Sequence, residues 1–246
     1  MAEKKDIVLV HGFLESPDMW LGIKLNSSSR YKFHFVALPG HTGGNSELPE
    51  NISGYANSIL NVFENQNIHN AFLVGHSMGG YCCLDFAKRF PDKVRALCLF
   101  HSTASEDSPQ KKSDRLRAMN LIKENKSAYI RTLITSIFAI PNRELQKDRI
   151  QSLCQNAEKM TVESIVAAQN AMMQRPGSIE FLKNRSFPLF YFLGQQDELL
   201  SQEKMFAEIQ SIPGALAHFS DDVGHMGHYE DPSDAFGYLH RLLRAH

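Results

Sequence analysis

Three residues in this chain have the types and surroundings for nucleophilic chemistry: Ser77, Asp197 and His225. Ser77 lies in Gly75-His76-Ser77-Met78-Gly79, a G-x-S-x-G pattern whose flanks carry more weight than its spelling. Ala71-Phe72-Leu73-Val74 before it is an unbroken apolar run, which reads as a strand buried on both faces. After it, Tyr81, Leu84, Phe86 and Ala87 recur at helical spacing, with Lys88 and Arg89 at the end, so Tyr81–Phe90 reads as an amphipathic helix. Strand, sharp turn and helix form the context in which such a serine sits on a nucleophile elbow. Glycines at 75 and 79 let the backbone pass close to its neighbours, and the turn pushes the hydroxyl into the open. The rival reading is an incidental glycine-rich turn. A serine hydroxyl is a weak nucleophile until a base takes its proton, and that base needs a third group to orient it. Leu193-Gly194-Gln195-Gln196-Asp197-Glu198 follows an apolar strand and offers Asp197 as the orienting acid, with Glu198 pointing elsewhere. A lone loop carboxylate is by default a solvated one; the position after a strand favours the functional reading. Gly224-His225 lies in a glycine-flanked loop ahead of the closing helix and offers the base.

The elements that must hold these residues alternate regularly at first. Ile7–Val10 reads as a buried strand, Asp18–Leu25 as a short helix, and Asn26-Ser27-Ser28-Ser29 as a polar loop. Tyr31–Leu38 reads as a strand stopped by Pro39-Gly40, and His41–Pro49 as a loop. A helix capped by Ser53 runs to about Asn65, and Val94–Phe100 is the strand after the elbow helix. Strands alternating with helices imply right-handed crossovers and a parallel sheet. Between 105 and 185 no strand signal occurs, and helical stretches follow one another at Ser113–Lys123, Ala128–Phe138, Glu144–Ala157 and Val162–Met173. That stretch is expected to be an inserted helical cap, with residues 1–104 and 186–246 forming the core domain. The alternation resumes with Phe187–Leu193, a helix at Gln202–Ser211, the strand Ala215–Phe219 and a closing helix at Ser233–Leu243.

Composition narrows the class. With 246 residues and 43% hydrophobic content the chain can fill one sizeable core. A formal net charge of −1 without long runs of one sign suggests neither nucleic acid nor an anionic membrane surface as partner. No apolar run approaches the ~20 residues that span a bilayer. The first strand follows Met1-Ala2-Glu3-Lys4-Lys5-Asp6 directly, so no signal peptide and a cytoplasmic location are expected. Cys82, Cys83, Cys98 and Cys154 lack metal-type spacing and read as reduced packing residues.

Taken together, His11-Gly12-Phe13, Leu38-Pro39-Gly40-His41, Gly75-His76-Ser77-Met78-Gly79-Gly80, Phe90-Pro91-Asp92-Lys93-Val94, Gly194…Asp197 and Gly224-His225…Glu230…Pro232 resemble the α/β-hydrolase-fold family along nearly the whole chain. The resemblance implies a mostly parallel sheet flanked by helices and a Ser77–Asp197–His225 triad in that family's chain order. It also implies an oxyanion hole built from the N–H groups of Phe13 and Met78, and gives His11 a supporting role through a hydrogen bond. The implied activity is that of a serine hydrolase cleaving small carboxylic esters through an acyl-enzyme, without a cofactor, as a monomer or homodimer. The cap is then expected to line the substrate pocket with Phe138, Met172 and Met173.

The chain departs from the family at three places. Ala37 stands where an aspartate usually precedes Leu-Pro-Gly, and Thr42-Gly43-Gly44-Asn45-Ser46 replaces a shorter loop. Only about five residues precede the first strand, so two leading antiparallel strands are expected to be missing and about six strands to remain. His11-Gly12-Phe13-Leu14-Glu15-Ser16…Trp20 also resembles the menaquinone-pathway synthase of the same fold, a lyase-type enzyme. That enzyme's elbow tyrosine and following arginine correspond to His76 and Tyr81 here, so lyase chemistry is the alternative function. A non-catalytic binding protein is a further alternative, which an intact triad disfavours. His218, Asp221, Asp222, His225 and His228 lie close together in sequence, but without H-E-x-x-H or cysteine pairs no metal is expected. Of the two histidines in the last loop, His225 is expected to be the base and His228 a cap or lid contact.

Overall fold

The computed structural model describes residues 4–26, 30–41 and 47–245. The serine loop at 27–29 and the Thr42–Ser46 loop fall outside the described residues. Six strands, β1 (Lys5–Val10), β2 (Tyr31–Val36), β3 (Ala71–His76), β4 (Val94–Phe100), β5 (Leu189–Gly194) and β6 (Ala215–Ser220), form one sheet in the order β2-β1-β3-β4-β5-β6. Every pairing is parallel. Position in the sheet explains strand composition. The inner strands β3 and β5 are buried at every residue, as continuous apolar runs require, whereas the edge strands β2 and β6 alternate with exposed positions.

Helices cover both faces. On one face α1 (Ile52–Asn65), α2 (Met78–Arg89) and α7 (Gln202–Gln210) pack a core that includes Tyr55, Phe63, Cys82, Phe86, Leu73 and Leu97. On the other, Trp20 and Ile23 and the closing helix α9 (Pro232–Ala245) cover Phe72, Cys98, Phe100, Phe190 and Phe192. The segment expected as a short helix near Asp18 is a 3-10 helix, Pro17–Asn26. The cap of α1 is Asn51, whose side chain accepts the Gly54 N–H at 3.0 Å, while the Ser53 hydroxyl donates to Asp85 instead. All four cysteines are free, three of them buried. Among the described residues no helix is long and apolar enough to cross a membrane.

Between β4 and β5 come α3 (Pro109–Ser136), α4 (Lys147–Ala157), α5 (Val162–Gln174) and α6 (Ile179–Lys183). The two helices expected before residue 138 run together as α3. The break between them survives at Asn125, which has non-helical φ −153° and ψ 83° and whose side chain caps the second half through the Ala128 N–H. These helices carry a core of their own, with Ile122, Ile130, Ile134, Phe138, Leu153 and Ile165 packed on Leu14 and Met226. The two ends of the stretch are joined to each other through buried Asp107, which pairs with Arg115 of α3 and with Arg175 just after α5, the latter at 2.7 Å. The Ser178 N–H closes the base on the Ala104 carbonyl at 2.7 Å.

Backbone packs closely on backbone where β3 turns into α2. A Cβ at Gly79 would sit 2.5 Å from the carbonyl oxygens of Val10 and His11, and one at Gly75 would meet the Gly79 carbonyl at 2.5 Å. Backbone on both sides leaves no flexible group to yield. Gly79→Ala is therefore expected to destabilise the fold by about 1–3 kcal/mol, the usual cost of overpacking, by forcing α2 away from β1. A urea midpoint equal to that of the wild type would contradict this.

Candidate active site

Because all six strands are parallel, the segments leaving β1, β3, β4, β5 and β6 open on the same edge of the sheet, where the chain reverses direction between β1 and β3. Ser77 is the residue between β3 and α2, held at φ 49° and ψ −116° in a conformation that an L-residue rarely adopts. Its N–H donates to the Phe100 carbonyl at 3.0 Å, and its own carbonyl accepts from the Gly80 N–H at 2.9 Å and the Ser102 hydroxyl at 2.8 Å. These bonds span β4, β3 and α2 and fix the serine backbone from three sides. Its side chain makes no cap bond to the helix, and Met78 as the first residue of α2 has an N–H with no intrahelical acceptor.

Asp197 lies in the turn after β5 and is buried. Its Oδ1 accepts the N–H groups of Leu199 (2.9 Å) and Leu200 (3.2 Å), which leaves Oδ2 for His225 Nδ1 at 2.6 Å. Burial alone would raise its pKa, but the His225 charge and the hydrogen bonds of His101 and His225 outweigh burial and hold it well below the usual carboxylate range. His225 follows Gly224, at which a Cβ would meet the Ala139 nitrogen at 2.5 Å, so only glycine allows the loop to touch the segment after α3. Glu230 pins this loop: one oxygen accepts the Gly224 and Met226 N–H groups, each at 3.0 Å, and the other accepts the Ala139 N–H at 2.8 Å. The Nε2 of His225 is buried and carries no protein hydrogen bond.

Ser77 and His225 line one cavity of about 100 Å³ together with Phe13, Tyr81, Lys111, Arg115, Tyr129, Leu133, Gln169, Met172, Leu199 and Leu200. The structure thus brings Ser77, Phe13 and Met172 to one space with His225, and places Asp197 behind His225. Two expected wall residues lie elsewhere. Phe138 is buried in the core of the inserted helices, and Met173 stands about 100° around α5 from Met172, off the wall. Lys111, Arg115, Tyr129 and Gln169 were not singled out from sequence, because a polar residue on an amphipathic helix carries no mark of facing a cavity rather than water. His228, expected as a cap or lid contact, shares a pocket with Arg149 and Leu153 of α4. The short helix α8 (Gly227–Glu230) buries it against Trp20, Phe100 and His76, with ring centroids 6.0, 6.0 and 5.2 Å away.

His11 supports the site as a strut: Nδ1 bonds the Gly12 carbonyl at 2.8 Å and Nε2 accepts the Leu38 N–H at 3.0 Å. Of the histidines and aspartates that lie close in sequence at 218–228, His218 is bonded to Asp234 at 2.6 Å and His225 to Asp197 at 2.6 Å. Among the described residues the cluster with ligand-like spacing is His101, Asp197 and His225, whose donor atoms fall within 4.8 Å of one another. There the 2.6 Å contact between His225 and Asp197 already has the geometry of a charge-assisted hydrogen bond, so an ion would have to displace that proton.

The chain belongs to the alpha/beta hydrolase fold family, whose model matches residues 6–232. Among its relatives is an uncharacterised carboxylesterase, Nap, of Bacillus subtilis (strain 168), 36% identical over 97 residues, which are 38% of this chain and 32% of that protein. Over almost the whole length, 97% of this chain and 93% of the relative, it is 23% identical to 2-succinyl-6-hydroxy-2,4-cyclohexadiene-1-carboxylate synthase of Escherichia coli O1:K1 / APEC. A thermophilic esterase from Thermogutta terrifontis, solved with malate bound, superposes with a TM-score of 0.89 at 24% identity, covering all of this chain and 91% of that one. The enol-lactonase from Burkholderia xenovorans LB400 superposes with a TM-score of 0.87 at 19% identity, covering 99% and 92%.

The histidines around the site have a thermodynamic consequence. Burial, the largest cause in each case, lowers the pKa of His41 and of His101 to about 4 and pushes those of His11 and His228 well below the ordinary 6.5. The unfolded chain therefore binds protons that the folded chain refuses as pH falls below 6.5. Their neutral burial costs nothing above that pH and costs stability increasingly toward pH 4. The melting temperature is expected to fall steadily from pH 6.5 to pH 4, with roughly three to four protons taken up on unfolding near pH 5. A flat profile across that window would show these rings to be open to solvent.

Proposed function

We propose that the protein is a serine hydrolase acting on small carboxylic esters. The observation that carries this reading is the shared cavity: a half-buried serine on a tight turn and a histidine whose Nε2 has no protein hydrogen bond line it, and a buried carboxylate holds that histidine's other nitrogen. Ser77 attacks the ester carbonyl while His225 Nε2 takes its proton; Asp197 fixes the tautomer and stabilises the imidazolium that forms. The oxyanion is received by the N–H groups of Met78 and Phe13, worth roughly 3–4 kcal/mol for each donor removed. His225 returns the proton to the leaving alcohol, and water, activated by the same nitrogen, then releases the acyl group. The alcohol leaves as its neutral form and the acyl–oxygen bond broken is replaced by the bond from Ser77, so atoms and charge balance at each step. Residues 105–185 act as a cap, since α3 and α5 supply Lys111, Arg115, Tyr129, Leu133, Gln169 and Met172 to the cavity wall. The soluble chain works without a cofactor, and the cytoplasm is the compartment that its free cysteines suit best. Full-length similarity to a synthase of this fold favours a second reading, carbon–carbon bond chemistry at the same serine and base. Assay of the carbon–carbon bond reaction alongside ester hydrolysis separates the two.

A fluorophosphonate probe is expected to label the wild type and not Ser77→Ala, and labelling that persists in Ser77→Ala would sink the assignment. In the same enzyme His225→Ala is expected to lower kcat by about three orders of magnitude or more, whereas His228→Ala leaves most of kcat in place. The reverse ranking would put the base at His228.

The wall also bears on which esters fit. It carries two cations, Lys111 and Arg115, and no carboxylate, in a space suited to a few heavy atoms. Esters whose short acyl group ends in a carboxylate are expected to show higher kcat/KM than neutral esters of equal length. Lys111→Ala is expected to narrow that preference about two- to fivefold, the scale of one partly screened ion pair. Equal rates for charged and neutral acyl groups in the wild type would refute the cationic wall.

A further inference from the structure

Behind the nucleophile lies a second buried acid–histidine pair that the chemistry above does not use. Glu15, in the loop after β1, and His76, the last residue of β3, are both almost fully buried, and Glu15 Oε2 lies 2.8 Å from His76 Nδ1. The same carboxylate oxygen accepts the Gly12 N–H at 2.6 Å, one residue before the proposed oxyanion donor Phe13. The other ring nitrogen, His76 Nε2, lies 3.0 Å from the main-chain carbonyl oxygen of His225. A Cβ at Gly12 would fall 2.6 Å from both Glu15 Oε2 and His76 Nδ1, so the oxyanion loop is pressed directly onto the pair.

The protons in this chain can be placed by their partners. A carbonyl oxygen only accepts, so His76 Nε2 carries a hydrogen. Glu15 Oε2 already accepts the Gly12 N–H, and Glu15 Oε1 is buried with no partner to receive a proton from it. A carboxylate facing an imidazolium, with both His76 nitrogens donating, satisfies every contact, whereas a protonated Glu15 Oε2 donating to Nδ1 would leave the Gly12 N–H on a hydroxyl oxygen, a weaker acceptor than a carboxylate.

We propose that Glu15 and His76 form a charged positioning pair for the site: the carboxylate holds the oxyanion loop at Gly12, and the imidazolium holds the His225 backbone. The inference rests on the serine hydrolase reading, and it says why the elbow carries histidine beside Ser77. One buried ion pair connects the loop after β1, the end of β3 and the loop after β6, which carry the proposed oxyanion donor, nucleophile and base. Neither residue lines the Ser77 cavity, so the pair acts through position rather than contact with substrate.

The groups around His76 bear on its charge with both signs. Burial lowers its pKa, but Glu15, the hydrogen bonds to Glu15 and to the His225 carbonyl, and Asp197 after β5 together raise it above 6.5. His101 after β4, His225 after β6 and His228 on α8 lie with ring centroids 5.9, 5.1 and 5.2 Å from it, and of these His101 and His228 are kept neutral by burial. The charge on His76 is therefore present at and below pH 6.5 and is lost as pH rises through its raised value. With it goes the donor to Glu15 or to His225, so kcat acquires an alkaline limb set by His76.

The test is ring nitrogen NMR of the histidines joined to steady-state kinetics. In the wild type His76 is expected to show both ring nitrogens protonated at pH 6. In Glu15→Gln that signature is lost, the His225 ring resonances shift, and kcat falls about tenfold or more with KM within about twofold, as a misplaced base predicts. His76→Gln, which keeps one donor but no charge, shows the same fall in kcat and no alkaline limb of its own; it decides the matter should Glu15→Gln fail to fold. A neutral His76 in the wild type overturns the proposal. So does a folded variant in which the His225 resonances and kcat stay at wild-type values, since a purely structural pair would lower only the melting temperature. A wild type that labels with no fluorophosphonate and cleaves no ester defeats the hydrolase reading instead, and the His225 resonances of the variants still decide the pair.

Discussion

The rest of the site depends on the contact of two backbones at the crossing of α2 over β1. Gly79 lets the helix start rest on the carbonyls of Val10 and His11, and Gly75 lets the turn fold back on itself. That approach forces Ser77 to φ 49° and leaves the first N–H groups of α2 pointing at the sheet edge. Strain of this kind, of order 1–3 kcal/mol, persists only where surrounding packing over-determines it. Here Phe100, Gly80 and Ser102 each hold the Ser77 backbone, while the closely packed strands beneath leave no room for it to relax.

The electrostatics around that turn follow from the same crowding. Six buried histidines, at 11, 41, 76, 101, 225 and 228, surround the carboxyl ends of the strands, and only two buried carboxylates, Glu15 and Asp197, lie among them. Each carboxylate lies at hydrogen-bond distance from one ring: Asp197 faces His225 at 2.6 Å and Glu15 faces His76 at 2.8 Å. In the remaining rings, at 11, 41, 101 and 228, burial is the largest influence and keeps them neutral. His101 shows the difference, since its Nδ1 lies 3.5 Å from Asp197, too far to match the 2.6 Å bond that His225 makes with the same oxygen. Proximity of a carboxylate, not burial as such, separates His76, whose charge is favoured, from the rings that burial keeps neutral.

The inserted helices add a wall rather than the reacting groups. They have an apolar core of their own that includes Phe138, Asp107 joins their two ends through Arg115 and Arg175, and the Ser178 N–H ties them to the Ala104 carbonyl after β4. Arg115 serves twice, because the residue that joins this anchor also lines the cavity beside Ser77. Any substrate preference written into α3 and α5 is thereby mechanically coupled to the rim that carries His225 through Glu230 and Ala139.

Residues whose roles are local in sequence were legible from it. The run from Ala71 to Gly79 dictates strand, turn and helix by hydrophobic period and glycine placement, and Gly194…Asp197 and Gly224-His225 are fixed by the strands just before them. The α/β-hydrolase fold, the six parallel strands and the helical stretch at 105–185 follow from those short-range patterns. The sequence did not determine which side of a helix meets a cavity. Met172 and Met173 are neighbours of the same type, yet only Met172 reaches the wall, because the rotation of α5 is set by its packing on α3 and the sheet. It also left the partners of the histidines open. Glu15 and His76 are 61 positions apart, and His76 and His225 are 149 apart, so only the folded sheet edge brings them within hydrogen-bond range. A side chain's period in the chain is a local property, but its proton depends on which distant carboxylate or carbonyl the tertiary fold sets beside it.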